Sequence, residues 1–537
     1  MILSAAAAGA ALYGFADAAR TLSRDTLTAS PTQQLLLSLS DAAVTALLVL
    51  PLTVPLLFVS RRSGWVAFFW GLLAAVLFDL GVWTAQTGAP PVQSIAAGGG
   101  LLLIAVGLSR FATTSRQRVA VVIGITFALT SRGLFVRRDL APRGTPPVQA
   151  LDVLLITVDS LRFDALGPDT PNLLRVQQDS AAFVETYVPA SDTLAAHRAL
   201  FTGRLPWAPP AQRLARVLRA QGWRTGAFVS AHELVGEFVE GFEIYDDDFR
   251  WVQGWADTFP GRLMLTSDPD ARLGGRTVDA ALTWMAKNQP RGAPLLTWVH
   301  LHDPTAPYAP PPPWDTRFVQ GDPRDPAHTS MQAVDDPPVW LEGITDVDWP
   351  RAQYRGEVAY VDEQVGRLID FVDQTGRLDR TVVVIVGAHG ESLGEQHQWF
   401  SHQGALHGAV THVPLMIRLP SGVPMGARVE WPVALTDIAP TILDLLRLPA
   451  PESIDGFPLS EAFVGGAPPR ERLVAVDGEV LALRKPGVFL YRYDAAVDAG
   501  VFFDVSSGKE IETELPQQLS GLPDSARQIW ASINAGR

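Results

Sequence analysis

Residues 381–392, TVVVIVGAHGES, decide the fold of this chain. The first six are all β-branched, which is typical of a strand buried on both faces of a parallel sheet. The strand pattern ends in Gly387, and a small residue, a histidine, a glycine and an acid follow it. In α/β enzymes the chemistry gathers at the carboxyl ends of such strands, so His389 is a candidate functional residue. The residue before it is Ala388, whose methyl group offers no chemistry.

Four further stretches carry similar short apolar patterns, and helical patterns at 213–221 and 354–374 lie between them. This alternation predicts an α/β fold with a mainly parallel central sheet and helices on both of its faces. The four predicted strands are VLLITVD (153–159), GWRTGAFVS (222–230), PLLTWVHLHD (294–303) and THVPLMIRLP (411–420).

Polar residues stand at the ends of three of these strands. Asp159 ends the first, His300 and His302 end the segment at 294–303, and His389 follows residues 381–387. Because parallel strands bring their carboxyl ends to one edge, we expect these side chains to meet in a metal or acid–base site. The alternative is that each one only caps or stabilises a loop.

Residues 1–139 differ from the rest in charge and hydropathy. Residues 1–145 contain arginine but no lysine and sum to about +6, whereas the whole chain carries −13. Apolar runs near the ~20 residues that a bilayer crossing takes predict a bundle of about five transmembrane helices. The runs lie at roughly 2–19, 34–60, 64–86, 91–109 and 119–136. The first run has a second interpretation, as a cleaved signal peptide.

The remainder of the chain divides into three predicted parts. Residues 140–149, LAPRGTPPVQ, are a proline-rich linker. An α/β domain then covers 150–460, and a small α+β subdomain, 461–537, packs on it. Arginines are balanced across the five predicted spans, so charge alone leaves the orientation open. We expect an inner-membrane protein, in contact with bilayer lipid, whose α/β domain faces outside the cytoplasm.

Charge and composition exclude several classes of function. The acidic remainder of about −19 argues against a nucleic-acid partner, since phosphate backbones attract lysine and arginine. The chain has no cysteine, which excludes disulfides, thiolate metal ligands and a cysteine nucleophile.

A hydroxyl residue stands at the start of a short helical pattern in PASDTLAAHRALFTGRLP (189–206). Thr193 opens the pattern, and His197 follows one turn later. Such a hydroxyl is either a helix N-cap or a nucleophile activated by a metal or a base. Taken alone, the pattern favours the cap.

Together these segments resemble the sulfatase-like branch of the alkaline phosphatase superfamily. The resemblance runs from about residue 152 to 458, and we expect it to continue into the C-terminal segment FFDVSSGKE (502–510). It rests on ordered motifs rather than on one match. They are LITVDSLRFDALG, the segment around Thr193 that closes with TG, WVHLHDPTAPYAPP, YRGEVAYVDEQVGRLID, VVVIVGAHGESLGE, SHQGALHGAVTHVPLMIRLP and TDIAPTILDLL.

The resemblance implies roles for individual residues. Asp159, Thr193 and His389 would be ligands of a divalent metal ion, with Thr193 also the nucleophile. His402 and His300 would take part in catalysis. The residues implied to contact an anionic substrate are His197, His302 and His402.

Two departures from the family motifs fall at this predicted site. Ala388 stands where the family has an aspartate ligand, and Thr305 stands where the family segment reads Asp-Pro-His. One carboxylate makes a poor cage for Ca²⁺ or Mg²⁺, whereas Zn²⁺ accepts fewer ligands and binds imidazole. The ion is therefore open among Zn, Mn, Mg and Ca.

The histidines between residues 389 and 412 offer a compensation for the missing aspartate. They could rebuild a nitrogen-rich site, or they are loop histidines that lie elsewhere. They are His389, His397, His402, His407 and His412.

The resemblance predicts a membrane-anchored hydrolase or phosphotransferase acting on a phosphate or sulfate ester of the cell envelope. A formylglycine nucleophile is excluded because Thr193 cannot be converted into one, so threonine-type relatives are the better guide. The alternative is a catalytically degenerate member that keeps the fold to bind an envelope ligand or partner.

Overall fold

The computed structural model describes residues 143–209, 212–234, 237–246, 272–420 and 426–536. The predicted membrane-spanning runs lie outside these ranges and stay a prediction. Within the described ranges, every helix falls short of the length or the apolar character that a bilayer crossing takes.

The α/β part of the chain alternates strands and helices, as its sequence predicts. Its strands are β1 (Asp152–Val158), β2 (Ala181–Tyr187), β3 (Arg224–Val229), β4 (Ile244–Asp246), β5 (Leu295–Leu301), β6 (Thr381–Gly387), β7 (Ser392–Leu393), β8 (Trp399–Ser401), β9 (Leu415–Arg418) and β10 (Arg428–Ala434). Its helices are α1 (Pro171–Gln178), α2 (Thr193–Thr202), α3 (Leu214–Ala220), α4 (Gly274–Asn288), α5 (Trp314–Arg317), α6 (Asp348–Gln374), α7 (Gly408–Thr411) and α8 (Ile438–Leu445).

Eight of these strands form one sheet in the order β10-β2-β9-β6-β1-β5-β3-β4. All neighbours are parallel except the two pairs that involve β9, which is antiparallel to β2 and to β6. The mainly parallel central sheet is therefore confirmed. The parallel direction predicted for 411–420 is wrong, because the chain leaving β6 turns back at the same edge and makes no helical crossover.

Alternate side chains along the central strands pack against helices on both faces of the sheet. On one face Leu155 of β1 and Trp298 of β5 lie in the same buried cluster as residues of α2, α3 and α8. On the other face Leu154 and Ile156 lie in a cluster with residues of α1, α4 and α6. Since both faces are covered, the central strands β1, β5 and β6 are mainly apolar.

A second sheet follows residue 473. Its strands are antiparallel and lie in chain order, β11 (Leu473–Asp477), β12 (Val480–Lys485), β13 (Phe489–Asp494), β14 (Ala499–Asp504) and β15 (Ile511–Thr513), followed by α9 (Leu522–Gly536). Leu522 and Ala526 of α9 are buried against this sheet. The backbone amide of Val476 donates to the Pro189 carbonyl at 2.9 Å, which joins the small sheet to the α/β part.

Candidate active site

Three side chains singled out in the sequence meet at the carboxyl edge of the central sheet. Asp159 directly follows β1, His300 lies near the end of β5, and His389 lies two residues beyond β6. β1 pairs with both β5 and β6, so the three strand ends are neighbours. Asp159 Oδ2 lies 3.2 Å from His300 Nε2, and Asp159 Oδ1 lies 3.5 Å from His389 Nε2. All three side chains are fully buried.

Thr193 joins this group, and it is not the cap of its helix. Asp192 occupies the N-cap position of α2, where its carboxylate accepts the Ala195 amide at 2.8 Å. The Thr193 hydroxyl is therefore free to face the sheet edge. It lies 3.2 Å from Asp159 Oδ2 and 3.0 Å from His389 Nε2. The sequence pattern alone favours Thr193 as the helix N-cap. In the structure the N-cap is Asp192, one residue earlier.

The hydrogen bonds of His389 determine which ring nitrogen faces Thr193. His389 Nδ1 donates to the Gly390 carbonyl at 2.9 Å. Burial, together with His402 nearby, lowers the pKa of His389 to about 3, so the ring is neutral near pH 7. The Nε2 lone pair then points at the Thr193 hydroxyl, as it would in a metal ligand or an acceptor of the hydroxyl proton.

A buried hydrogen-bonded chain supports the site from β1 and β5. The Thr157 hydroxyl lies 2.9 Å from Trp298 Nε1, 3.0 Å from His197 Nε2 and 2.9 Å from His300 Nδ1. The second His197 nitrogen, Nδ1, donates to the Thr193 carbonyl at 2.8 Å. Burial and the neighbouring His300 lower the pKa of His197 to about 4. Both His197 nitrogens are thus hydrogen-bonded within the protein, and its contact with a substrate stays a prediction.

His302 reaches the same carboxylate from the solvent side. Its Nδ1 lies 3.0 Å from Asp159 Oδ2, and its side chain keeps 12% of its exposure. Burial works to lower the pKa of His302, but the hydrogen bond to Asp159 outweighs it and raises that pKa. Burial likewise works to raise the pKa of Asp159, but the neighbouring His300 and the hydrogen bond with His302 hold it well below its usual range. Asp159 is therefore an ionised acid in a buried site.

A second buried acid, Glu391, was missed in the sequence. Ser160 Oγ donates to Glu391 Oε2 at 2.8 Å, and His402 Nδ1 lies 3.5 Å from the same oxygen. The His402 ring stacks on His389 with 4.0 Å between the ring centroids. The sequence did indicate this acid, because Glu391 is the last residue of GAHGE and lies two residues after His389.

The two departures lie beside these groups. Ala388 follows Val384 and Val386 into the buried cluster beneath α2, the sheet face to which Leu155 and Trp298 of the neighbouring strands also belong. An aspartate at position 388 would therefore face the same side as Asp159. The Thr305 hydroxyl lies 3.0 Å from Ser160 Oγ, next to Glu391. Glu391 provides a second carboxylate in the site. The absence of an aspartate at position 388 therefore does not by itself support the alternative of a catalytically degenerate protein.

Of the five histidines between residues 389 and 412, His389 and His402 lie in the site. His407 Nε2 bonds the Ser392 hydroxyl at 2.8 Å. His412 donates to the Val184 carbonyl and stacks between two aromatic rings. The loop-histidine interpretation therefore holds for these two. Asp164, five residues after Asp159, forms an ion pair with Arg162.

The hydrogen-bonding groups around Asp159 fit a divalent cation. Thr193 has one hydroxyl hydrogen, yet its oxygen lies within bonding distance of both Asp159 Oδ2 and the His389 lone pair. Among the residues that the structure describes, Asp159 Oδ1 and His300 Nε2 are buried polar atoms without a hydrogen-bond partner. Buried acceptors in excess of donors are costly unless a cation satisfies them.

Fold and site together define a domain of the alkaline phosphatase superfamily. The chain belongs to the sulfatase family, whose family model matches residues 152–448. The choline-sulfatase of Rhizobium meliloti is 26% identical over 441 residues, which cover 70% of this chain and 84% of that protein. An arylsulfatase of Clostridium perfringens is 30% identical over 114 residues. That match spans 23% of the arylsulfatase and 21% of this chain.

Solved structures share the fold at low sequence identity. The phosphonate monoester hydrolase of Silicibacter pomeroyi superposes with a TM-score of 0.56 at 20% identity, over 72% of this chain and 96% of that one. The phosphonate monoester hydrolase of Agrobacterium radiobacter gives the same TM-score and identity, over 95% of its length.

Proposed function

We propose that the α/β domain is a hydrolase or phosphotransferase that cleaves an anionic phosphorus or sulfur ester, with Thr193 as the nucleophile. The observation that carries this proposal is the position of the Thr193 hydroxyl. It is buried, it is free of helix capping, and it lies between Asp159 and the His389 lone pair. It also stands at the N-terminus of the ten-residue helix α2, where the helix dipole favours an anion.

The reaction has two displacements. Thr193 Oγ1 bonds to the phosphorus or sulfur atom as the bond to the ester oxygen breaks, and the leaving oxygen takes up a proton. Water, or an acceptor alcohol in a transfer, then attacks the same atom and releases Thr193. The Thr193 side chain has a single hydroxyl, which is used up in the covalent ester. No second hydroxyl remains to expel the bound group, so the ester is broken only by attack at phosphorus or sulfur. This favours phosphate and phosphonate esters, since such attack is the ordinary route of phosphoryl transfer.

The site residues have separate roles in these steps. Asp159, Thr193 and His389 would hold a divalent cation, which when bound neutralises charge on the ester oxygens and eases loss of the Thr193 proton. His197 fixes the backbone of Thr193 through its bond to the carbonyl. His402 and His302 keep 12% of their side-chain exposure, so they form the edge of the site that a substrate meets.

His402 is placed to protonate the leaving oxygen, and this predicts a pH dependence. Burial works to lower the pKa of His402, but the Glu391 carboxylate outweighs it and raises that pKa. A raised pKa keeps the ring protonated to higher pH, so activity is expected to fall as pH rises through it. Glu391→Gln is expected to move this alkaline limb of the kcat profile to lower pH. The control is Glu395→Gln, whose carboxylate pairs with Arg162. An alkaline limb unmoved in Glu391→Gln would contradict the role of His402.

The covalent step is tested by trapping the intermediate. Full-length protein in detergent is mixed with an aryl phosphate, a phosphonate monoester or an aryl sulfate, quenched in acid and mapped by mass spectrometry. We expect turnover of at least one ester and a phosphoryl, phosphonyl or sulfuryl group on Thr193. Turnover with the label on another residue would contradict the assignment of the nucleophile.

We further propose that the domain is anchored by the predicted spans of residues 1–139, faces outside the cytoplasm, and acts on an envelope ester. The apolar runs of the sequence support the anchor, and the anion-accepting site supports the substrate class. A reporter that is active only outside the cytoplasm, fused after residue 145, is expected to be active. A fluorescent protein that folds only in the cytoplasm, fused at the same position, is expected to stay dark. The reverse pattern would place the domain in the cytoplasm.

A further inference from the structure

We infer that the end of β5 and the residue after it supply the ligands that the chain lacks at position 388, so that the site is rich in imidazole and selects Zn²⁺ over Ca²⁺. The added ligands are His300 and His302, which join Asp159 and His389. This inference rests on the cation site of the proposed function and specifies its ion.

The first argument is the hydrogen-bonded chain that ends at His300. His197 Nδ1 donates to a carbonyl, so its Nε2 accepts the Thr157 hydroxyl hydrogen. The Thr157 oxygen then accepts from the Trp298 indole and from His300 Nδ1. In the neutral ring this leaves the His300 Nε2 lone pair facing Asp159 Oδ2 at 3.2 Å. Two buried lone-pair atoms repel at that distance unless a proton or a metal cation lies between them.

The second argument is the spacing of the donor atoms. Asp159 Oδ2 lies 3.2 Å from His300 Nε2, 3.0 Å from His302 Nδ1 and 3.2 Å from Thr193 Oγ1. Ligand atoms at their usual distance from a tetrahedral Zn²⁺ are ~3.3 Å apart. Each of these three atoms thus lies about one ligand-to-ligand separation from Asp159 Oδ2, and the partly exposed His302 offers a route from solvent.

His197 does not belong to this ligand set, although its position would allow it. One donor atom from each of Asp159, His197 and His300 lies within 4.8 Å of the others. However, both His197 nitrogens are engaged, with the Thr193 carbonyl and the Thr157 hydroxyl. His302 is the better ligand because the one hydrogen bond of its ring among the described residues is to Asp159 itself, so loss of the proton frees Nδ1 for an ion held by the same carboxylate.

The third argument is the balance of oxygen and nitrogen donors. Ca²⁺ takes six to eight oxygen ligands, whereas Zn²⁺ takes about four and binds imidazole well. Position 388 provides a methyl group. Glu391 Oε2 is engaged by Ser160 and lies near His402, whereas Glu391 Oε1 has no hydrogen-bond partner among the described residues. Around Asp159 the described residues thus present three imidazole nitrogens and few oxygens. Such a set favours Zn²⁺.

Equilibrium metal binding tests the inference independently of catalysis. Full-length protein in detergent is stripped with a chelator and titrated calorimetrically with Zn²⁺ or Ca²⁺. We expect one Zn²⁺ per chain, bound at least ~100-fold more tightly than Ca²⁺. His302→Gln is expected to weaken Zn²⁺ binding ~10- to 100-fold with little effect on Ca²⁺. Ala388→Asp is expected to strengthen Ca²⁺ binding and to lower the preference ratio at least ~10-fold.

The matched control is His407→Gln, which alters a buried histidine bonded to Ser392 outside the ligand set. It is expected to leave Zn²⁺ affinity unchanged. Tighter binding of Ca²⁺ than of Zn²⁺, binding of neither ion, or unchanged Zn²⁺ affinity in His302→Gln would overturn the inference. None of these results decides whether Thr193 is the nucleophile, which the trapping experiment answers separately. Partly exposed His302 is the substitution least expected to disturb folding, so the test stands even if Ala388→Asp fails to fold.

Discussion

Thr193→Ala is expected to lower kcat by roughly 10⁴-fold or more towards any ester that the full-length protein hydrolyses, because it removes the group that forms the covalent intermediate. Folding should be unaffected. The helix keeps its N-cap at Asp192, and the β-carbon of the alanine fills the start of the same buried space. The measurement is steady-state kcat in detergent, with thermal unfolding as the check on folding.

Thr193→Ser is the matched control for this substitution. It keeps a primary hydroxyl at the same position and is expected to retain turnover far above that of the alanine variant. Thr202→Ala, at the other end of α2, is expected to leave kcat unchanged, because Thr202 Oγ1 bonds the Arg198 carbonyl on the surface. Equal activity of wild type and Thr193→Ala would overturn the proposed nucleophile.

Trp298→Ala is expected to destabilise the domain by about 3–5 kcal/mol, the range for a large buried aromatic side chain. Trp298 is fully buried on β5, and its ring contacts those of Phe201, Phe242 and Tyr245. Its indole also donates to Thr157, so the substitution takes one donor from the chain that orients His197 and His300. Stability and catalysis are therefore expected to fall together. Pulse proteolysis of the full chain in urea measures the free energy of unfolding.

Two further substitutions separate packing from hydrogen bonding at this position. Trp298→Phe keeps much of the aromatic volume but loses the indole donor, so it is expected to cost less stability and still to lower kcat. Trp314→Ala, which alters a partly exposed tryptophan at the start of α5, is expected to cost much less than Trp298→Ala. A loss at Trp298 no larger than at Trp314 would contradict the central place of Trp298 in the core.

The sequence was sufficient to predict the sheet, since buried parallel strands are apolar on both faces and stand out against their helices. It was also sufficient to name Asp159 and His389, because Asp159 directly follows such a strand and His389 lies two residues beyond one. The strands β2, β4 and β10 were missed. β4 has three residues, β2 contains Glu185 and Thr186, and β10 lies at the sheet edge with alternating polar residues, so none shows a continuous apolar run.

Other features of the site depend on contacts that sequence spacing does not reveal. Asp192 and Thr193 are both suitable N-caps, and only the observed helix start decides between them. Glu391 follows a glycine beyond the strand, and its role arises from Ser160 and His402, which are distant along the chain. Thr157 reads as an ordinary strand residue until its three partners are seen around it.

The antiparallel course of β9 has a consequence for how such a domain diversifies. The connection from β6 to β9 leaves the sheet and returns to it at one edge, and it carries Glu391 and His402. Insertions or deletions in this connection would change which leaving groups reach His402, while the register of β6 against β1 stays as it is. Substrate range can thus evolve through one surface segment, on a nucleophile and a scaffold that remain constant.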